Sequence, residues 1–497
     1  MRLKKSFAGL SFNNSYNKLP GHFYKRLNPL PVKKPALIQL NKVLAIEFGL
    51  NIEKLQSKEG VDFFSGNCVV GGSDPIAAVY AGHQFGYFTH QLGDGRAILL
   101  GEIINKKGQR FDIQLKGSGR TPFSRNGDGR SALGPVIREY IVSEAMNALG
   151  IKTTRALAAV TTGETVLREN IVPGGIFTRI ASSHIRVGTF QYFAASGDQG
   201  AVKNLADYTI NRHYSKCSQA VNPYHALLQS VIESQAKLIS SWMMNGFVHG
   251  VMNTDNMSIC GETIDYGPCA FIDIYDPNTV FSSIDQNRRY TFGNQSHVAK
   301  WNLTCFAQSI LPLISPNIDK AINIAEEELE AFHKIFDQYW LEGMRRKFGL
   351  LNAQENDLKL IQNFLELMEK YQVDYTLAFR YLGFVSDRNT DNKDIKNLFS
   401  NSLDYDIWES IFKERLKFES RSVKERSRAM SLVNPLFIPR NHLVEEAIKR
   451  GVEDNDFSKM NQLIKILATP FDEKDSDHYY KFPPKVVNQN YQTFCGT

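Results

Sequence analysis

The sequence predicts an α+β protein with a protein-kinase-like two-lobed fold, an N-terminal extension and a mostly helical C-terminal region. Three observations carry that prediction. Elements between Ala97 and Ile180 read strand, strand, helix, strand, strand, the order of a small kinase N-lobe, whereas a parallel dinucleotide-binding fold would alternate strand and helix. Lys116 ends the second strand, and the helix after it carries acids. Farther on, a long helix runs into a loop with an Asp-Asn pair, and an Asp-Tyr-Gly triplet follows. The corresponding division is an extension over 1–75, an N-lobe with nucleotide-binding loops over 76–200, a C-lobe with the catalytic and metal loop over 201–340, and a helical region over 341–497.

In the extension, Pro, Asn and Lys are frequent and one stretch, 36–48, has helical spacing. Residues 97–104 form an apolar strand, Asn105-Lys106-Lys107-Gly108 a turn, and Phe111, Ile113 and Leu115 the apolar face of a second strand, which together predict a β-hairpin. A loop crowded with Gly and Arg follows over 117–134. Pro135 then opens a helix that Gly150 ends, with Ile137, Ile141, Ala145 and Leu149 as its apolar stripe. Further strands are expected at 156–161 and 176–180. Residues 225–245 make a long amphipathic helix, with Leu228, Ile232, Leu238 and Trp242 near helical spacing, stopped by Gly246. A polar loop and a short hairpin come next. From Asn317 onward the pattern is helical, as in 358–371 and 442–450, with loops at 386–394 and 471–477.

Composition narrows the class. A chain of 497 residues can bury enough core to fold without metals or disulfides. Its six cysteines lack paired C-x-x-C spacing, against a zinc site or a disulfide framework. The net charge of +6 is spread without a basic run or an aromatic RNA-binding signature, so nucleic acid is not an expected partner. No apolar run approaches the ~20 residues of a membrane span. Residues 6–17 are interrupted by Gly9, Asn13, Asn14 and Asn17, so they lack the core of a secretory signal. A cytoplasmic protein without a membrane partner is expected.

Gly93-Asp94-Gly95-Arg96 stands directly before a strand, where glycines let the backbone approach a phosphate and Arg96 offers a guanidinium fork. Asp-Gly is also an ordinary hairpin turn, so this run alone decides nothing. Lys116, followed by a helix bearing Glu139 and Glu144, has the layout by which kinases hold a phosphate-binding lysine through an ion pair; Glu139 is the favoured partner. The decisive run is His249-Gly250-Val251-Met252-Asn253-Thr254-Asp255-Asn256 with Asp265-Tyr266-Gly267 after it. Kinase-like phosphotransferases place a catalytic Asp and a metal-binding Asn in one loop, and a second metal-binding Asp before a Gly on the next strand. Asn256 and Asp265 are oxygen donors suited to Mg²⁺ or Mn²⁺. The usual base, five residues before Asn256, is replaced by Val251, which leaves Asp255 as the nearest carboxylate to accept a proton from an attacking hydroxyl. Arg120, Arg125 and Arg130, with Arg179 and Arg186, suggest a heavily charged ligand. Three readings stay open at this point: nucleotidyl transfer, ordinary phosphoryl transfer with a displaced base, and a catalytically dead nucleotide-binding scaffold.

On these residues the chain resembles the selenoprotein O family of pseudokinases, protein adenylyltransferases also described in bacteria as protein uridylyltransferases. The runs Tyr80-Ala81-Gly82-His83-Gln84-Phe85-Gly86, Leu115-Lys116-Gly117-Ser118-Gly119 and Arg120-Thr121-Pro122-Phe123-Ser124-Arg125 carry the likeness. The resemblance implies a nucleotide, ATP or UTP, bound with its α-phosphate toward the hydroxyl of a Ser, Thr or Tyr on a protein acceptor. It also implies nucleotide contacts from Gly93, Gly95, Arg96, Lys116, Asp128, Gly129, Arg179, Arg186 and Asp265, a proton acceptor in Asp255, and Mg²⁺ or Mn²⁺ on Asn256 and Asp265. Eukaryotic members carry a selenocysteine near the C-terminus. This chain ends Phe494-Cys495-Gly496-Thr497, which motivates a redox role for Cys495, with Cys269 as one possible disulfide partner.

Overall fold

The strand, strand, helix, strand, strand order is present in the structure, a computed structural model that describes residues 7–385, 393–485 and 491–493. The strands are β1 (Tyr24–Arg26), β2 (Ala36–Leu40), β3 (Ile76–Ala78), β4 (Gly82–Gln84), β5 (Tyr87–Thr89), β6 (Ala97–Ile104), β7 (Arg110–Lys116), β8 (Ser131–Ala132), β9 (Arg155–Leu167), β10 (Ile171–Ala181), β11 (Phe247–Val248) and β12 (Ala270–Phe271). The main sheet has the order β1-β3-β6-β7-β10-β9-β2, with β8 added to β10, and every pairing in it is antiparallel. The chain is therefore α+β.

Period-two alternation explains how this sheet serves a site. In β7, Ile113 and Leu115 face a core shared with Ile98, Leu100, Leu157, Val160 and Ile176, closed by Phe63 and Phe64 of the helix Lys58–Phe64. Each such side chain contributes roughly 1.5–3 kcal/mol on burial. The intervening residues Asp112, Gln114 and Lys116 are then obliged to point to the opposite face, where all three are buried among charged partners.

The helix expected to open at Pro135 spans Leu133–Ala148, two residues earlier. Pro135 therefore sits in its first turn, where the missing N–H is harmless. Ile137, Ile141 and Ala145 pack with Phe177 of β10 and with the helices Asn441–Glu453 and Ser458–Leu467, so the C-terminus folds back over this part of the molecule. The long helix begins at Pro223 rather than 225, because Asn222 caps it by accepting the Tyr224 and His225 amides, and it ends at Met244 before Gly246. With Val187–Ala195, Gln199–His213, Gln295–Ile314 and Ile318–Lys347 it buries a second core around Phe190, Ile232, Phe306 and Phe332. A third core, built on Phe348, Phe364, Phe379, Trp408 and Phe412, joins the helices Asp357–Lys370, Tyr375–Val385 and Leu403–Leu416. Among the described residues no helix is long and apolar enough to cross a membrane.

Four local expectations are corrected. Residues 36–48 are not one helix: Ala36–Leu40 pairs with β9 as an edge strand, and only Lys42–Glu47, capped by Asn41, is helical. The first 75 residues thus supply both edge strands of the sheet. The strands expected at 156–161 and 176–180 extend to Leu167 and back to Ile171, because each finds its partner across the Arg168–Asn170 turn. The short hairpin expected before Asp265 is replaced by two bridges to other parts of the chain, Arg186 with Ser258 and Thr153 with Thr263. Of the expected loop at 386–394, residues 386–392 lie outside the described ones, and Lys393 and Asp394 begin the helix Lys393–Leu398.

Candidate active site

One cleft, about 720 Å³ in volume, is lined by Gly93, Gly95, Arg96, Lys116, Asp128, Gly129, Arg179, Arg186, Asp255, Asn256 and Asp265. These come from the turn before β6, the end of β7, the Gly-rich loop, β10, the residue capping the helix Val187–Ala195, the 3-10 turn Thr254–Asn256 and the segment after it. Residues up to 172 positions apart in sequence are thus brought together.

At the floor, Lys116 Nζ lies 2.6 Å from Glu139 Oε2 and 2.9 Å from Asp265 Oδ1. Arg179 Nη1 repeats the bridge, 3.3 Å from Glu139 and 2.7 Å from Asp265, while its Nε donates to Gln114 at 2.7 Å. Arg186 Nη1 reaches Asp265 Oδ2 at 2.5 Å, donates to the Asp255 backbone carbonyl, and stacks its guanidinium 4.7 Å over the Tyr80 ring. Glu139 is therefore the acid that meets Lys116, whereas Glu144 turns away to Arg155 and Asn41. Lys116, Arg179 and Arg186 face Glu139 and Asp265 here, with Asp255 and Asp94 close by, so charges of both signs are packed in a buried place, where Coulomb interactions are strongest.

The two aspartates are driven in opposite directions. Burial alone would raise Asp265, but Lys116, Arg186 and Arg179 overcome it and hold the carboxyl well below its usual range. Asp265 also sits at φ +61, a left-handed conformation that a non-glycine residue adopts at some cost. Burial pushes Asp255 up to about 6, against the pull of Arg186. Its Oδ1 is buried without a hydrogen-bond partner. A carboxylate in that range is ionised at neutral pH and still basic enough to take a proton.

The Asn256 side-chain amide donates to the Val251 carbonyl at 3.0 Å, which leaves its Oδ1 available to another ligand. Asn256 Oδ1 and the Asp265 carboxylate are hard oxygen donors opening on the same cleft. Among the described residues no group of three or more His, Cys, Asp or Glu forms a protein cage for a metal. This donor set fits an ion of the Mg²⁺ type, which keeps several waters and takes its remaining ligands from phosphates.

The turn Gly93–Arg96 is built for close approach. Gly93 adopts φ +72, and a side chain there would enter the Phe123 ring. Asp128 is drawn to the cleft edge by Arg168, at 2.9 and 3.1 Å. Of the other arginines, Arg125 lines the cleft, Arg130 lines it but spends its guanidinium on the carbonyls of Leu30 and Pro31, and Arg120 is exposed outside it. Cys495 lies outside the described residues. Cys269 is fully buried, and burial pushes its thiol up to about 12, away from thiolate reactivity.

Sequence reasoning named Tyr80, Gln84, Asp94 and Asn253 only as members of longer runs, gave them no role of their own, and passed over Arg168; all five line the cleft. Asp94 accepts the Ala78 amide at 3.0 Å and holds Gln114, so it braces the turn from behind. Gly82 lies against Asp255, leaving no room for a side chain. The signal for Tyr80, Gly82 and Gln84 was present in the run Tyr80–Gly86, but a run of residues does not say which atoms meet the 249–256 loop.

A sequence profile of the family described as "Protein adenylyltransferase SelO" matches residues 6–468. Similar proteins include the protein nucleotidyltransferase YdiU of Rhizobium meliloti (strain 1021), 52% identical over 486 residues, covering 98% of this chain and 99% of the relative. The protein nucleotidyltransferase YdiU of Rhodopseudomonas palustris (strain ATCC BAA-98 / CGA009) is 52% identical over 490 residues, 99% of this chain and 100% of the relative. That of Bradyrhizobium diazoefficiens is 52% identical over 487 residues, 98% of this chain and 99% of the relative.

Proposed function

The chain belongs to the SelO family of protein adenylyltransferases, and from that premise we propose that it moves a nucleotidyl group, AMP or UMP, from ATP or UTP to a Ser, Thr or Tyr hydroxyl of a protein. The fold is read as kinase-like in this proposal, with the sheet and the helical core as its two lobes. The observation that carries the reading is the pairing of a buried, cation-rich floor with Asp255, while Val251 holds the place of the usual phosphoryl-transfer base.

In the mechanism, Lys116, Arg179, Arg186 and Arg96 receive the triphosphate and neutralise the charge that grows on it. The backbone of Gly93, Gly95 and Gly129 lets the phosphates and sugar approach, and Asp128 faces the same ligand. Asp255 accepts the proton of the acceptor hydroxyl as its oxygen forms a bond to the α-phosphorus, and the bond from that phosphorus to the bridging oxygen of the β-phosphate breaks, releasing pyrophosphate. Asn256 and Asp265 would hold Mg²⁺ or Mn²⁺, which when bound supplies charge stabilisation to the phosphate oxygens. Glu139 keeps Lys116 and Arg179 in place.

Nucleotide labelled at the α-phosphate is expected to label protein only when Mg²⁺ or Mn²⁺ is added, and Asp265→Ala should abolish the labelling. Label arriving from the γ-phosphate alone would replace this reading with an ordinary kinase. Nucleotide-induced thermal stabilisation with no transfer of either label would replace it with a scaffold.

A further inference from the structure

Beside the cleft, a short hairpin holds a conformation its own sequence resists. β4 and β5 are joined by Phe85 and Gly86 at φ +52 and +90, the positive-φ pair of a two-residue turn. That turn favours Asn-Gly, and a bulky aromatic in its first position persists only where its surroundings impose it. Here they do. The His83 amide donates to Thr254 Oγ1 at 2.7 Å and the Phe85 amide to Asn253 Oδ1 at 3.1 Å. The same Asn253 oxygen accepts the Tyr290 hydroxyl at 2.6 Å, and the Phe85 and Tyr290 rings meet edge to face at 5.3 Å. One residue, two positions before Asp255, thus fastens both the hairpin tip and Tyr290, whose amide Asp285, next to Ile284, accepts in turn.

These two elements present apolar groups at the cleft mouth. Phe85 and Ile284 line the cleft, and Ile284 is 58% exposed. Tyr87, 80% exposed, pairs across the hairpin with Gln84, so the pleat sets it on the face of Gln84, itself a cleft residue. Exposed apolar residues scattered singly mean little, but two that line the cleft and a third beside the cleft residue Gln84 gather at one mouth, the mark of a contact surface.

The geometry points to a platform for the acceptor protein: Phe85, Tyr87 and Ile284 receive an extended segment of it and seat a large apolar side chain next to the hydroxyl presented to Asp255. The inference rests on the proposed function, since an acceptor polypeptide must bring its hydroxyl in past this mouth. It adds what that reading leaves open, the chemistry around the modified residue.

Short synthetic peptides with one central tyrosine, flanked by leucines or by serines, serve as probes, with binding read by fluorescence anisotropy and transfer by α-phosphate label. The leucine-flanked peptide should bind and react about tenfold better. Tyr87→Ser should erase that preference, Tyr87→Phe should keep it, and Ile284→Ser should weaken it, while Tyr87→Ser leaves the melting temperature and the nucleotide KM unchanged. Transfer without any preference between the peptides, or a preference that survives Tyr87→Ser, overturns the platform. A raised nucleotide KM in Tyr87→Ser also overturns it, placing the base there instead. Selective peptide binding with no α-label transfer overturns the proposed function and leaves the apolar platform standing.

Discussion

At the residue scale, two buried titratable groups show how the same burial leads to different outcomes. Asp255 is raised to about 6 while a ring of cations nearby keeps its neighbour Asp265 ionised. Asp255→Asn preserves shape and removes the proposed proton acceptor, so kcat for nucleotidyl transfer should fall about 10²–10⁴-fold with nucleotide affinity little altered, as measured by steady-state labelling beside a binding titration. Lys347 is 4% exposed, over the Phe379 ring at 4.4 Å, and burial lowers it from 10.5 to about 7. Between those two values the unfolded chain holds a proton that the folded one lacks, so stability rises with pH through the window. Below about 7 both states are protonated and the penalty is fully present. Lys347→Met should flatten that slope and stabilise the protein near neutral pH by on the order of 1–4 kcal/mol, less whatever the aromatic contact contributes; denaturant titrations across the pH range read both.

At the element scale, ends and registers matter more than cores. The helix Pro223–Met244 leads directly into the strand before the His249–Asn256 loop, and its first turn depends on Asn222, whose side chain accepts two amides at 3.0 Å. Asn222→Ala should cost about 1 kcal/mol of stability, seen as a lowered urea midpoint with an unchanged slope. The register of β7 against β10 sets Lys116 beside Phe177 and Gln114 beside Arg179. A slip of one residue would turn Asp112, Gln114 and Lys116 onto the apolar face. The ion-pair floor is thus a property of strand register as much as of residue choice.

At the scale of the whole molecule, the C-terminal region is bolted to the part that carries the site. Arg440, wholly buried, lies 2.6 Å from both Asp273 and Asp374, joining the segment after β12 to the helices Tyr375–Val385 and Asn441–Glu453. Removing one partner from such a group strands buried charge, so Arg440→Ala should destabilise by about 3–5 kcal/mol, and calorimetry should show one lowered transition rather than separate ones if the parts unfold together.

What could be read from the sequence alone has a physical basis in periodicity and chemistry. Alternation in 110–116 predicts a strand with Lys116 at its end, helical spacing and Gly150 predict the helix that carries Glu139, and the Asp255-Asn256 and Asp265 spacing predicts an acid-amide-acid site. Those are local properties, set by the backbone repeat and by the donor atoms each side chain owns. The edge strand Ala36–Leu40 was illegible because an apolar stretch of that length suits helix or strand equally, and only the free edge of β9 decides between them. Tyr80, Gly82 and Asn253 were illegible as site residues for the same reason: what matters about them is which distant atoms they touch. Sequence alone thus determined the strands and helices that carry Lys116 and Glu139, and the inventory of charged groups. Tertiary structure decided which charges meet, that Asp255 is desolvated and Asp265 is not left alone, and that a strained hairpin stands at the cleft mouth. Pairing and desolvation depend on distances between residues far apart in the chain, and no local repeat encodes them.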